Sequence, residues 1–235
     1  MTERGLASFA GSWAEQAARL AHGALADTLP RRWAHVQSVA ERAQVVAAPL
    51  GDDAEADVLV SAAWLHDVGY APRIVDSGFH PLDGARHIRS LGYPERVAGL
   101  VAFHSTALVK AQILGLDEQL QAEFDDERTV LRDLLWYADM TTGPGGAAVT
   151  FDERMSEIRH RRADQPDAIA ALDRSLAERR ATVGRAQRWL DERHVRAEPP
   201  PGAAGPAATP TWRGGQPPFA DPDPSRARQR TSTRR

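Results

Sequence analysis

Apolar residues recur every three or four positions through almost all of residues 1–196, and this spacing restricts the chain to helices. No convincing run of alternating apolar and polar residues, as a half-buried strand would show, interrupts the pattern. The clearest stripe lies in the last helical stretch and consists of Ile169, Leu172, Leu176, Val183, Ala186 and Leu190. The sequence therefore predicts an all-α fold with a long C-terminal helix.

Prolines, glycines and capping residues divide this pattern into separate helices. We predict helices within 6–25, from 30 to about 49, from 52 or 53 to 67, from 81 to about 91, through 104, in two pieces within 107–124, and over 127–140, 151–161 and 166–194. Gly69 is expected to end the third of these helices. Residues 70–79 and 141–146 are predicted loops.

The chain divides into four predicted parts that differ in composition. Residues 1–29 would form a helix packing on the main domain, 30–146 the main domain, and 147–196 the C-terminal helices. Residues 197–235 hold nine of the sixteen prolines and six arginines against three acidic residues, so we predict a disordered tail. The net charge of −3 makes a nucleic-acid partner for the whole chain unfavourable, and the tail is better explained as solvating than as a nucleic-acid arm.

Three helices place a polar side chain on their apolar face. His66, His104 and Asp139 each follow apolar residues by three and four positions, and Asp67 is the neighbour of His66. A buried, unpaired carboxylate costs several kcal/mol unless it is protonated or compensated. Any one of these residues could be a hydrogen-bonded core group, but three helices sharing the feature favour a metal centre.

Two further histidines fit the same centre. His35 lies on the flank of an apolar stripe, and His80 precedes Pro81 at a loop-to-helix junction. The chain has no cysteine, so nitrogen and oxygen ligands must hold the ion; manganese, iron, zinc, cobalt or nickel would suit them, as one ion or two. The other histidines are predicted to be surface residues, namely His22, His87, His160 and His194, with His87 the least secure.

The order His35, His66-Asp67, His80, His104, Asp139 resembles the HD-domain superfamily of metal-dependent phosphohydrolases over about residues 30–145. The resemblance is carried by Trp33-Ala-His35-Val, Ala-Trp-Leu-His66-Asp67-Val-Gly-Tyr, His80-Pro-Leu-Asp-Gly-Ala, Val-Ala-Phe-His104-Ser and Tyr-Ala-Asp139-Met-Thr. It implies a helical bundle in which His35, His66, Asp67 and Asp139 hold a first ion. Asp67 would then bridge to a second ion completed by His80 and His104.

The resemblance leads us to expect hydrolysis of a phosphate ester, in a nucleotide or related small phosphorylated metabolite, by a metal-activated water. Asp67 would be central to catalysis, and Arg73 and Lys110 are candidates to neutralise the transferred group. Asp83 could orient an imidazole or cap a helix. Two alternatives stay open: a diiron oxygenase that cleaves a C–C or C–P bond, and a non-catalytic domain that binds a nucleotide or a protein.

The sequence also leads to expectations about the cellular location of the protein and its association with a second copy. No apolar stretch approaches the roughly 18 residues that span a bilayer, and the N-terminus lacks the pattern of a secretory signal, so a cytoplasmic protein without membrane contact is expected. The apolar stripe of the last helix could form a homodimer seam, although packing on the chain's own domain is favoured.

Overall fold

The computed structural model describes residues 11–193, and ten α-helices connected by short loops and turns build that part of the chain. They are α1 (Trp13–Leu25), α2 (Pro30–Ala47), α3 (Asp53–Leu65), α4 (His80–Ser90), α5 (Glu95–Ala102), α6 (Ala107–Leu114), α7 (Asp117–Glu123), α8 (Val130–Met140), α9 (Phe151–Arg161) and α10 (Pro166–Asp191). The only β pairing among these residues is an isolated bridge between Thr142 and Ala148. The predicted all-α fold is confirmed, whereas the predicted tail, His194 and the first residues of the predicted N-terminal helix lie outside the described residues.

Local signals set most helix boundaries. The side chain of Asp52 caps α3, Pro30 occupies the first turn of α2, and Gly51 has a φ of 67°, a left-handed conformation that suits glycine. Thr150 and Glu153 form a reciprocal capping box at the start of α9. These boundaries agree with the predicted ones because the residues responsible act within a few positions.

The helix predicted to run through His104 is interrupted. α5 ends at Ala102, and His104–Thr106 form a separate 3-10 turn in which Ser105 and Thr106 have φ values of 49° and 61°. Left-handed backbone is costly for residues other than glycine, on the order of 1–3 kcal/mol each. The surroundings of His104 therefore hold this turn in place.

Gly69 has a different role from the one predicted. It does not cap α3 with a left-handed backbone but lies in the 3-10 turn Val68–Tyr70. A Cβ atom on Gly69 would stand 2.1 Å from the carbonyl oxygen of His80 and 2.7 Å from the backbone nitrogen of Gly84. Gly69 therefore permits α4 to approach the end of α3.

Helix α3 is the centre of the bundle, with α1, α2, α5 and α8 packed around it. Its residues Leu59, Ala62, Ala63 and Leu65 are fully buried. Burying a leucine side chain completely contributes about 1.5–3 kcal/mol. This packing fixes the C-terminal end of α3, where His66 and Asp67 lie.

Helix α10 packs its apolar stripe on α8 and α6 of the same chain. Leu172, Val183, Ala186 and Leu190 are buried there. Within residues 11–193, no single helix has the length and apolar character to cross a membrane; only the bent pair of α5 and His104–Leu114 passes that test, by length and composition.

Candidate metal centre

Two triads of potential ligands, all buried except the half-buried His80, lie side by side where α2, α3, α4, α8 and the turn His104–Thr106 converge. One consists of His35, His66 and Asp139, and the other of Asp67, His80 and His104. Within each triad the candidate ligand atoms lie within 4.8 Å of one another. Ligand atoms that each lie about 2.0–2.2 Å from one shared ion are separated from one another by a similar distance.

Three of the histidines are oriented by backbone carbonyls. Nδ1 lies 2.9 Å from Gly143 O in His35, 2.8 Å from Ala63 O in His66, and 2.6 Å from Val101 O in His104. A carbonyl oxygen can only accept, so Nδ1 carries the proton in each ring. Nε2 is thereby turned towards the centre, where a neutral ring would offer its lone pair to an ion, as in histidines that bind metals.

His80 approaches the centre from the first turn of α4. Its Nε2 lies 3.2 Å from Nε2 of His104 and 3.3 Å from Oδ1 of Asp67. Its ring stacks on Tyr70 with 3.9 Å between the ring centroids. Two imidazole nitrogens and one carboxylate oxygen thus face a common point.

Asp67 lies between the two triads. Oδ1 lies 3.3 Å from Nε2 of His80 and 3.8 Å from Nε2 of His104, while Oδ2 lies 3.4 Å from Nε2 of His66. Oδ2 also accepts a hydrogen bond from the guanidinium of Arg32. The carboxylate can therefore serve both triads, as a bridging ligand does.

Asp139 has three close neighbours, of which His35 belongs to its own triad. His35 Nε2 lies 3.1 Å from Oδ1, Ser105 donates its hydroxyl proton to Oδ2, and Arg154 Nη2 lies 3.8 Å from Oδ1. The left-handed backbone of Ser105 places that hydroxyl against the carboxylate. The strained turn thus orients a candidate ligand.

Burial and mutual charge shift the pKa values of the cluster. Burial would raise the pKa of Asp67, but Arg32, His66 and His80 hold it well below its usual value. Burial lowers the pKa of His80 and His104, so both rings are neutral near pH 7, as ligands must be. Burial also opposes protonation of His66, yet Asp67 and Asp139 raise its pKa to about 9. The carboxylates that attract a proton to His66 would attract a cation equally.

A divalent ion fits this arrangement. Nε2 of His66 is buried and makes no well-aligned hydrogen bond, although Oδ2 of Asp67 lies 3.4 Å away. Such an orphaned polar atom is unfavourable unless another group, such as an ion, satisfies it. Imidazoles and carboxylates together suit manganese, iron, zinc, cobalt or nickel.

A cavity of about 150 Å³ opens onto the two triads. Asp67, His80, His104 and Asp139 form its floor, and six basic residues line it: Arg32, Lys110, Arg154, Arg161, Arg162 and Arg179. A cavity lined in this way attracts anions.

The two basic residues singled out from the sequence lie in different places. Lys110 lines the cavity, and its Nζ lies 6.0 Å from the centroid of Phe79. Arg73 is exposed, is not among the residues that line the cavity, and extends towards Gly23 of α1. The structure therefore brings Lys110 to the triads and leaves Arg73 away from them.

Asp83 takes neither of the two roles considered for it. Its buried carboxylate accepts hydrogen bonds from the backbone of Asp76, Ser77 and Gly78 at 2.9–3.1 Å, and from the hydroxyl of Ser77 at 2.6 Å. Both predictions for Asp83 were wrong, because the carboxylate points away from the imidazoles and into the preceding loop.

The histidines predicted to lie at the surface belong to neither triad among the described residues. His22 and His160 are exposed, and His87 is half-buried with a pKa lowered by burial and by Arg73.

Four residues of the site escaped sequence analysis: Arg32, Ser105, Arg154 and Arg179. Arg32 precedes His35 by three positions, which places both on one face of α2, so a signal existed. Arg179 interrupts the apolar stripe of α10, which is a weaker signal. For Ser105 and Arg154 the sequence holds none, because a backbone kink and a long-range approach bring them to Asp139.

The comparison with known families agrees with the position of this candidate site in the chain. The family model described as HD domain matches residues 32–142, a range that includes all six candidate ligands. No curated protein and no solved structure matches the chain.

Proposed function

The chain carries an HD domain across residues 32–142, and on that premise we propose that it hydrolyses a phosphate ester of a small metabolite with the help of one or two divalent ions. The proposal rests on one observation: the two triads lie at the floor of a cavity that basic residues line. Six basic side chains line the cavity that opens onto the triads, which suits the charge of a bound phosphate.

His35, His66, Asp67 and Asp139 would hold the first ion, and Asp67 would share a second ion with His80 and His104. Bound divalent ions lower the pKa of a coordinated water towards about 7 and neutralise charge on a transferred phosphoryl group. Asp67 would orient the attacking water by accepting its hydrogen bond, since its carboxylate faces the cavity between the triads.

Arg32 would bind the phosphoryl oxygens, and Lys110, which lines the same cavity, would bind an anionic part of the substrate. Arg32 pairs with Asp67 at the floor of the cavity, and its guanidinium lies 3.6 Å from the ring centroid of Tyr70, so both contacts fix its position. Lys110 lies on α6, the helix that follows the His104 turn. Charge-assisted hydrogen bonds from such groups are about twice as strong as neutral ones.

Hydrolysis of p-nitrophenyl phosphate, measured with manganese and alongside the metal content of the purified protein, tests the proposal. We expect metal-dependent release of phosphate, and we expect Asp67→Ala to lower kcat by at least about 1,000-fold and to lose the metal, because Asp67 contacts both triads. Asp53→Ala is the matched control: Asp53 begins α3, the helix that Asp67 follows, and is exposed.

Two results would replace the proposal. Two bound irons with oxygen uptake and no phosphate release would establish the oxygenase alternative. Complete absence of turnover across phosphomonoesters, phosphodiesters and metals, in a protein that still binds a nucleotide, would establish a binding domain.

A further inference from the structure

We infer that the substrate is a compact metabolite carrying a second anionic group besides the phosphate ester that is cleaved, and that Lys110 and Arg179 bind this group. The inference rests on the proposed function and narrows its substrate class. It follows from which charges in the cavity are paired, and from the size and lining of the cavity.

The cavity has two walls of different origin. The floor and one wall come from the HD domain, including Arg32, Tyr70 and Lys110. The facing wall comes from α9 and α10, which lie beyond the residues matched by the family model. Four arginines of this second wall face the cavity, namely Arg154, Arg161, Arg162 and Arg179, with apolar residues of α9 and α10 between them. Residues outside the metal-binding half therefore line part of the substrate cavity.

Several of the basic residues already have acidic partners. Arg32 pairs with Asp67, Arg154 Nη1 lies 2.6 Å from Glu157 Oε2, and Arg161 Nε lies 2.7 Å from Glu157 Oε1. Asp67 and Asp139, the acidic residues that face the cavity, are the candidate metal ligands. Their charge is therefore committed to ions and to Arg32.

Lys110 and Arg179 have no such partner, and among the other lining cations Arg162 has only a neutral one, with its Nη1 2.7 Å from Gln165 Oε1. Among residues 11–193, no carboxylate oxygen lies within 4.0 Å of the side-chain nitrogens of either residue. The guanidinium of Arg179 is held by neutral groups, with Nη2 2.7 Å from Ser105 O, Nε 2.9 Å from Ser175 Oγ and Nη1 3.3 Å from Met140 Sδ. Both residues are half-buried, and Asp139 and Glu178 attract Arg179 only from beyond ion-pair distance. A half-buried cation without a directly paired carboxylate is unfavourable, and an anionic ligand would relieve that cost.

One phosphate group does not account for both cations. A phosphate ester bound over the ions is neutralised by them, with Arg32 beside it, which leaves Lys110 and Arg179 without a directly paired anion. A carboxylate or a second phosphate elsewhere on the same molecule supplies the missing charge.

The size and lining of the cavity argue against a nucleotide. Its volume of about 150 Å³ is well below the roughly 300–1,000 Å³ typical of pockets for larger ligands. The two lining aromatic residues, Tyr70 and Phe79, offer no free face to a base: Tyr70 is covered by His80 and Arg32, and Phe79 is fully buried. A small doubly anionic molecule fits both observations.

Calorimetry on the manganese-loaded protein tests the inference without requiring turnover. The probes are methylphosphonate, 3-phosphonopropionate, propane-1,3-diphosphonate and adenosine 5′-monophosphate. We expect at least one of the two doubly anionic phosphonates to bind about 10-fold or more tightly than methylphosphonate and than the nucleotide. The ranking of 3-phosphonopropionate against the diphosphonate shows whether the second group is a carboxylate or a phosphate.

Lys110→Gln and Arg179→Gln should each reduce this preference to about threefold or less, with the affinity for methylphosphonate changing much less. Arg179 also contacts the His104 turn, so circular dichroism and metal content should accompany its variant; Lys110 forms no hydrogen bond or ion pair within the described residues and provides the independent test. Arg188→Gln, on the exposed side of the same α10, is the matched control and should keep the preference.

Three results would overturn the inference. They are equal binding of probes with one and with two anionic groups, tighter binding of the nucleotide, and a preference that survives both substitutions. Hydrolysis of p-nitrophenyl phosphate distinguishes failure of this inference from failure of the proposed function. If turnover is metal-dependent and the preference is missing, the inference alone fails; if turnover and metal binding are both missing, the proposed function fails as well.

Discussion

Asp67 is the residue on which both triads depend, because each of its oxygens faces a different triad. His66, its neighbour in sequence, belongs to one triad only. Substitutions at these two positions should therefore differ in how much metal they remove, although the residues are adjacent.

His66→Ala should lose the ion held with His35 and Asp139 and should lower turnover by at least about 100-fold, while the ion between Asp67, His80 and His104 is retained in part. Elemental analysis of the purified variants measures this directly. Full metal content in His66→Ala would show that the triad is not a metal site.

Ser105 should influence the ions without contacting them. Removing its hydroxyl leaves an oxygen of Asp139 without its donor, so Ser105→Ala should weaken metal affinity by about 10–100-fold. Ser105→Gly tolerates the left-handed backbone and should show the same loss, which separates the hydroxyl from backbone strain. Ser90→Ala, at an exposed serine, should bind metal like the unmodified protein.

Five of the six candidate ligands could be predicted because they lie on or beside an apolar helix face, and His80 because it precedes Pro81 at a helix start. Ser105, whose role depends on a φ of 49°, and Arg154, which approaches Asp139 from another helix, could not be predicted. Such contacts depend on tertiary packing, which periodicity within one helix does not describe.

Helix ends and turns supply most of the candidate ligands. His66 and Asp67 follow α3, His104 follows α5, His80 begins α4, and Asp139 lies in the last turn of α8. Bringing these ends together requires close backbone approach, and the tightest contact is that of Gly69 with the first turn of α4.

Gly69→Ala should displace α4 and with it His80. The added methyl group would meet the carbonyl oxygen of His80, so we expect a destabilisation of about 1–3 kcal/mol and weaker metal binding at the triad of Asp67, His80 and His104. Thermal unfolding and metal titration measure the two effects. Gly145→Ala is the control, since a methyl group there meets no atom within 4 Å; equal effects of both substitutions would contradict this account.

At the element scale, the helix boundaries set by Asp52, Pro30 and Pro166 could be predicted because capping acts over a few residues. The break between α5 and His104 could not, because the sequence around Ser105 contains neither glycine nor proline. Its left-handed residues are held by contacts with α8 and α10, which are distant in sequence.

For the whole molecule, the buried carboxylates link metal binding to stability. Asp67 and Asp139 lie among four histidines and two arginines, and removing bound ions would leave their charges less well compensated. A ligand that binds only the folded state contributes about 2.7 kcal/mol at 100 times its dissociation constant.

A chelator should therefore lower the melting temperature of the metal-loaded protein by several degrees, and manganese should restore it. Asp67→Ala should melt at one temperature with and without chelator. If the melting temperature of the unmodified protein does not change with the chelator, the ions do not contribute to its stability.

Removal of residues 200–235 should leave turnover and melting temperature nearly unchanged, because the residues that line the cavity lie between Arg32 and Arg179. Steady-state kinetics and calorimetric unfolding of the shortened chain measure this. A large loss of either quantity would show that the C-terminal segment contributes to the domain.

The wall formed by α9 and α10 follows the helices that carry the candidate ligands, with the loop 141–150 between them. Under the proposed function, recognition of the molecule and cleavage of its bond would reside on consecutive stretches of polypeptide. Exchanging the stretch after residue 150 for that of a related chain would then change which molecule is bound and leave the candidate ligands in place, so such proteins could diversify without a change of chemistry.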